Sequence, residues 1–248
     1  MKEADRQRAI RQKLAGIGVS PARPAGIICT GFSALNQVLG GGLPRGEIVE
    51  FFGPAGCGKS TLAIQMAAAA QQAGLTAAWI DADHTFDPVW ANRIGLDPAR
   101  MPLARPESAE EALEIARTLA VSGAVDLIIV DSAAALVPKL EIALRVGSAP
   151  GLHSRVMASE LRKLSHAIGR ADVSALFLNQ MRNRLDPASG GETSAGGAPL
   201  KLYASVRLML SPEKAQHLSL RVLKNKVAPA IAGRQLRWRH GAGFVESP

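Results

Sequence analysis

The chain has 248 residues, 47% of them hydrophobic and 20% charged, a composition that excludes a disordered chain and allows one sizeable α/β domain. No apolar run approaches the roughly 18 to 20 residues of a membrane span, the N-terminal "MKEADRQRAIRQKLAGIG" lacks the apolar core of a signal peptide, and two cysteines, Cys29 and Cys57, point to a reducing cytoplasm rather than a disulfide framework. The net charge of +8 is uneven: residues 28–150 are net −5 and the flanking segments together +13, which implies a surface for a polyanion such as nucleic acid, or a merely soluble basic protein.

In chain order, the spacing of Ile10, Leu14 and Ile17 predicts a short amphipathic helix over 3–15, and "GVSPARPAG" reads as a linker. The expected layout is therefore a basic helix and linker over 1–27 and a core over 28–248. "GEIVEFF" predicts a buried strand, and "KSTLAIQMAAAAQQAG" a helix closed by Gly74. "LTAAWIDADH" is a second strand, "SAEEALEIARTLAVSG" a helix opened by a capping box of Ser108 and Glu111, and "VDLIIVDS" a third strand. "RVMASELRKLSHAIGRAD" is amphipathic and "VSALFLNQ" is again a strand. Apolar strands alternating with helices predict a mostly parallel sheet with helices on both faces. Residues 181–197, "MRNRLDPASGGETSAGG", are polar and unpatterned, as a functional or disordered loop would be. Beyond them "KLYASVRLML" and "LSLRVLKNKV" read as antiparallel strands, and "RQLRWRHGAGFV" closes the chain.

"GPAGCGKST" carries the chemistry. Gly53, Gly58, Lys59 and Ser60 fit G-x-x-x-x-G-K-[ST], with Pro54, Ala55, Gly56 and Cys57 inside the loop and Thr61 after it. The glycines let successive N–H groups point inward at phosphate, and the following helix adds its positive end. Lys59 reaches the β- and γ-phosphates and the Ser60 hydroxyl is a Mg²⁺ ligand. This predicts a nucleoside triphosphate site. Asp131, ending "LIIVD", stands where a carboxylate of the Mg²⁺ shell belongs, or else caps the next turn. In "DADH", Asp81 or Asp83 could orient water at the γ-phosphate, while His84 reads as a packing or hydrogen-bonding residue.

These segments, together with "WIDADHTFDPVWANRIGLD", "FLNQMR", "LKLYASVRL" and "VLKNKVAP", occur in the order of the bacterial RecA recombinase core, which the chain resembles over roughly 28–245. The resemblance implies a RecA-like phosphate-loop fold, mostly parallel with antiparallel strands added at the C-terminal end. It further implies ATP and Mg²⁺ bound at a subunit interface, in a homo-oligomer or filament on single-stranded DNA. Asp87 and Trp90 match the adenine-contacting Asp and the stacking aromatic, and Gln180 the sensor of the γ-phosphate. Lys224 and Lys226 match lysines that reach a neighbour's ATP. Arg155, Arg162, Arg182, Arg184 and Arg207 supply cations at the DNA, around loops matching 143–151 and 181–197.

The departures set expectations of their own. Asp83 stands where the family has the water-activating Glu, its carboxylate about 1.5 Å further back, so that hydrolysis is expected to be weak. Both DNA loops lack the family's bulky apolar residues, and Ala198 replaces an asparagine. The family's C-terminal domain is missing and the N-terminus is shortened. The favoured reading is a DNA-dependent ATPase acting in recombination and repair, with other repair proteins as further partners. The alternative is a RecA-derived accessory subunit, as in translesion-synthesis assemblies, using ATP as a switch. A small-molecule kinase would follow from the phosphate loop alone.

Overall fold

The computed structural model describes residues 26–144, 151–183, 192–195, 197–229 and 231–247, with residues 5, 6 and 8. The helix expected over 3–15, its linker and the polar tip of 181–197 therefore lie almost wholly outside the described residues. Among those described, no helix is long and apolar enough to cross a membrane.

A small antiparallel pair, β1 (Ile27–Ile28) and β2 (Leu43–Pro44), flanks helix α1 (Ser33–Leu39). Next come β3 (Ile48–Gly53), α2 (Lys59–Gln72), β4 (Ala77–Asp81), α3 (Pro88–Arg93), β5 (Leu103–Ala104), α4 (Ala109–Val121) and β6 (Leu127–Asp131). Helices α5 (Lys139–Leu144) and α6 (Leu152–Ala171) lead to β7 (Ser174–Asn183), β8 (Glu192–Ser194) and α7 (Ala198–Tyr203). The chain then adds β9 (Val206–Pro212), β10 (His217–Asn225), β11 (Arg234–Arg239) and β12 (Gly243–Glu246). Across the main sheet the order is β12-β11-β10-β9-β3-β7-β6-β4-β5, with β8 paired to β7. From β9 to β5 all neighbours are parallel, and from β9 to β12 they are antiparallel. This is the expected layout.

The reason is visible in the strands. In β6, Leu127 and Ile129 enter one core while Ile128 and Val130 enter the other; in β4, Trp79 and Ile80 divide in the same way. Side chains alternate across a strand, so an uninterrupted apolar run is what a sheet covered on both faces requires. One core gathers α1, α2 and the apolar side chains of β10–β12; the other gathers α4, α6 and α7.

Three local details depart from expectation. Ser108 caps α4 through the Glu111 N–H at 3.2 Å, but the Glu111 carboxylate accepts from Glu107 rather than from Ser108. The amphipathic helix begins at Leu152, because only at Gly151 does a positive φ of 78° break it. Residues 201–203, read as strand, close α7 instead. Pro199 in its first turn supplies a helical φ, and Leu200 and Ala204 bury against the α4–α6 core. The strand starts at Val206.

Candidate nucleotide site and its connections

Strand β3 ends in Gly53, the loop follows, and α2 opens at Lys59, so the glycine loop has its strand before and its helix after. Gly53 sits where a Cβ would come within 2.2 Å of the Leu210 carbonyl, and Gly58 has φ 93° with the Phe244 ring 2.5 Å from where its Cβ would be. Only glycine serves at either position. Pro54 is half-buried, while Ala55 and Gly56 face solvent. The Lys59 side chain folds back over the loop, Nζ donating to the carbonyls of Gly53 at 3.1 Å and Pro54 at 2.7 Å. Cys57 is buried beneath it, and burial pushes its thiol above the usual range against the pull of Lys59.

Asp131 stands at the end of β6, beside the Ser60 hydroxyl. Burial raises its pKa to about 6; the neighbouring Ser60 hydroxyl opposes the rise, Asp83 and Asp81 add repulsion, and Lys59 attracts. The adjoining Ser132 hydroxyl is buried without a partner. Among the described residues no cluster of three His, Cys, Asp or Glu could cage a metal. A hydroxyl and one carboxylate beside a phosphate loop do fit Mg²⁺, which keeps waters and shares phosphate oxygens rather than demanding an all-protein cage.

The second acidic cluster divides in two. Asp81 is fully buried and its carboxylate accepts from Thr85 N–H, Phe86 N–H and the Arg105 Nε at 3.1 Å, so it orders the turn after β4. Asp83 is half-exposed, and its N–H donates to the Asp131 carbonyl at 3.1 Å, holding the two carboxylates in one neighbourhood. His84 is exposed at a left-handed φ of 55°.

Asp87 caps α3, accepting from the N–H groups of Val89 and Trp90 at 2.8 and 3.1 Å. That cap turns Trp90 toward the loop, where its Nε1 donates to Thr61 Oγ1 at 3.4 Å. The Trp90 ring lies 6.1 Å from Trp238, and Trp238 packs edge-on against Phe244 at 5.3 Å. A cavity of about 350 Å³ adjoins the Trp238 and Phe244 rings, its lining including Gly56, Gly58, Thr61 and His217. Sequence reasoning passes over Trp238 and Phe244. The available signal is two large rings in the closing "RQLRWRHGAGFV" of a chain only 4% aromatic.

Gln180 is the register partner of Gly53 across β7 and β3, and is exposed. Its carbonyl accepts from Ala195 N–H at 2.8 Å, so β7 past this point and β8 form a short hairpin, with Met181 opposite Ser194 and Arg182 opposite Thr193. Part of 181–197 is thus regular. The Arg182 backbone belongs to β7, and Arg184 lies outside the described residues.

Arg207, expected among the DNA-facing cations, is engaged elsewhere. Its Nε donates to the fully buried Glu50 carboxylate, its Nη2 to Ser194 Oγ at 3.1 Å, and it lies 4.9 Å over the Phe52 ring. Asn179 completes this network by donating to Glu50 at 2.8 Å and to the Ala195 carbonyl at 3.0 Å. Arg155 and Arg162 are exposed on α6.

Lys224 lies on β10, opposite Arg207 of β9. Its Nζ donates to the carbonyls of Lys201 and Leu202 at the end of α7, at 2.7 and 3.1 Å. Burial lowers its pKa; Lys226 and Arg207 add to that and Glu50 opposes it. Lys226 is exposed. Because β10 runs antiparallel to β9 and β9 parallel to β3, both lysines stand at the end of the sheet away from this chain's own phosphate loop.

A strand that runs through a glycine loop into a helix, inside a parallel sheet with an acidic strand end alongside, defines a phosphate-loop fold. The family model described as the RecA N-terminal domain matches residues 11–245. RecA of Bifidobacterium breve is 42% identical over 240 residues, covering 92% of this chain and 61% of that protein. RecA of Roseiflexus castenholzii is 44% identical over 230 residues, covering 88% and 65%. RecA of Caulobacter vibrioides is 41% identical over 267 residues, covering 98% and 75%. The chain belongs to the RecA family, and spans about three fifths of the length of some of these relatives. In architecture it is similar to the crystal structure of the RadB recombinase, with a TM-score of 0.72 at 20% identity over 90% of this chain and all of that one.

Proposed function

We propose that this chain binds ATP with Mg²⁺ at residues 53–61 and Asp131, hydrolyses it slowly in a homo-oligomer, and couples that cycle to single-stranded DNA in recombination and repair. The observation that carries this reading is the convergence of Lys59, Ser60, Asp131 and Asp83 around one glycine loop, with Gln180 in register beside Gly53. Lys59 already directs its ammonium at loop carbonyls and can exchange those acceptors for phosphate oxygens. Ser60 and Asp131 would hold Mg²⁺, which supplies charge neutralisation at the phosphates. Trp90 and Trp238 offer two ring faces beside the loop to the base, and Asp87 fixes Trp90 by capping its helix.

Asp83 orients the attacking water and receives its proton, from one methylene further back than a glutamate would. Gln180 joins the loop strand to the β7–β8 hairpin, so a change at the γ-phosphate has a short mechanical route to the DNA-contacting segment. Arg155, Arg162, Arg182 and Arg184 meet phosphodiesters there. Arg207 serves instead as the brace of the hairpin's returning strand. Lys224 and Lys226 complete the site of a neighbouring subunit.

ATP turnover measured with and without single-stranded DNA tests the reading. Stimulation by DNA supports it, whereas equal turnover in both conditions argues against the coupling. A second reading, a RecA-derived accessory subunit that binds ATP as a switch, is favoured by the short reach of Asp83. It expects tight nucleotide binding with no turnover under either condition.

A further inference from the structure

Helices α4 and α6 pack side by side on the sheet face opposite α2, and the seam between them opens into a groove of about 910 Å³. Its charges are one-sided. Glu114 pairs with Arg117 on α4, and Glu160 with Lys163 on α6 at 2.7 Å. Each acid also feels the cation of the other helix, so these four charges neutralise one another across the seam. The charges that remain are Arg162 and Arg170, with His166 between them, all three exposed and without a hydrogen bond or ion pair among the described residues.

On α6 these three follow one another at four-residue spacing, with Arg155 seven residues before Arg162. All four therefore lie along one solvent-facing stripe. From Arg155 to Arg170 it runs roughly 22 Å, at about 1.5 Å of rise per residue. One end meets the two loops: α6 starts directly after 143–151, and Gly197, at the end of 181–197, abuts Ser154, whose Oγ would lie 2.9 Å from a Cβ at that glycine. The other end is Arg170, far from both.

We infer that the groove extends the phosphate-binding surface that Arg155 and Arg162 begin at the loops, leading the same single strand along α6 to Arg170. The inference rests on the single-strand reading proposed above. Arg155, Arg162 and Arg170 stand about 10 to 12 Å apart along the helix, close to three nucleotides of a stacked strand at about 3.4 Å each. The lining offers an acidic protein no aromatic anchor: its apolar side chains are Val121, Ala167 and Ala171. Contacts of this kind go to phosphate alone, so they add affinity without sequence preference.

Fluorescence anisotropy on the full chain, with oligo-dT of about 6 and about 18 nucleotides, tests the proposal. The longer oligomer is expected to show the steeper salt dependence. Arg170→Gln should leave the short oligomer's affinity unchanged and flatten the longer one's slope of log affinity against log salt by about 0.7. Arg170→Glu should weaken the longer one further. Because Arg170 is exposed, both variants are expected to fold, and nucleotide binding serves as the check. Equal slopes in the parent and both variants would overturn the groove while leaving the loops as the DNA site. Equal weakening of both oligomers would overturn it too, since Arg170 would then act through the loops. A polyglutamate that competes for the parent but not for Arg170→Glu, with oligomer binding unchanged, would assign the groove to an acidic protein instead. A parent that binds neither oligomer removes the single-strand reading itself.

Discussion

Glu50 of β3 and Arg207 of β9 form an ion pair at the centre of the sheet, Glu50 fully buried and Arg207 nearly so. Removing one partner of such a pair leaves an uncompensated buried charge and costs about 3–5 kcal/mol. Arg207→Ala is expected to lower the unfolding free energy read from urea denaturation by about that much, and Glu50→Gln to cost less, because the amide can still accept from Asn179 and Arg207. If Arg207→Ala leaves stability unchanged and only flattens the salt dependence of DNA binding, Arg207 is a DNA contact after all.

Lys59 is the one side-chain cation of the phosphate loop. Lys59→Ala removes a charged hydrogen-bond donor worth about 1.5–3 kcal/mol, which corresponds to roughly a 10- to 100-fold loss of ATP affinity. Turnover should vanish. Parent-like hydrolysis in this variant would place the site elsewhere.

Asp131 predicts a pH dependence whose sign is fixed by its raised pKa. Burial lifts the folded value from 3.8 to about 6, so the ionised form destabilises the protein at neutral pH. The penalty is full above about pH 6, fades as pH falls, and is gone below about 4; two units amount to about 3 kcal/mol. Without nucleotide or Mg²⁺, Asp131→Asn should be more stable than the parent at pH 7.5 and indistinguishable from it near pH 4, by urea denaturation. With Mg²⁺-ATP the order at pH 7.5 should reverse. A stability difference that does not change with pH would mean that the carboxylate is already compensated.

Asp83→Glu restores a methylene and should raise ATP hydrolysis several-fold, read as phosphate release at saturating ATP. A fall in turnover would show that the turn after Asp81, pinned by Arg105 and the Asp131 carbonyl, already fits the shorter side chain.

Lys224 and Lys226 carry the prediction about assembly. Turnover should rise faster than linearly with protein concentration, and replacing both lysines by alanine should cut turnover while leaving nucleotide binding to the isolated subunit intact. Activity strictly proportional to concentration, from monomer to oligomer, would exclude a shared site.

How much of this was legible depended on how local its cause was. The surroundings of the phosphate loop could be read directly, because a glycine loop is useful only between a strand end and a helix start, within a dozen residues. The central strands were legible because burial on both faces leaves an unbroken apolar run. Helix α7 was not: residues 201–203 alternate like a strand, and only the α4–α6 core that receives Leu200 makes them helical. The engagement of Arg207 was hidden for the same reason, since its partner Glu50 lies 157 residues away in sequence. The place of Trp238 beside Trp90 likewise depends on the closing hairpin folding back over α2, which no local pattern announces.

The placement of Lys224 and Lys226 at the sheet end remote from their own phosphate loop has a consequence for any chain of subunits built through them. One terminus of such a row exposes a loop that no lysines complete, and the other exposes lysines with no loop to serve. The two tips are therefore chemically unlike, and the row has a direction. A subunit lacking the lysines could still join where its own loop is wanted, yet would present nothing usable beyond itself. Added in small amounts, it should stop growth at one tip and leave the other open.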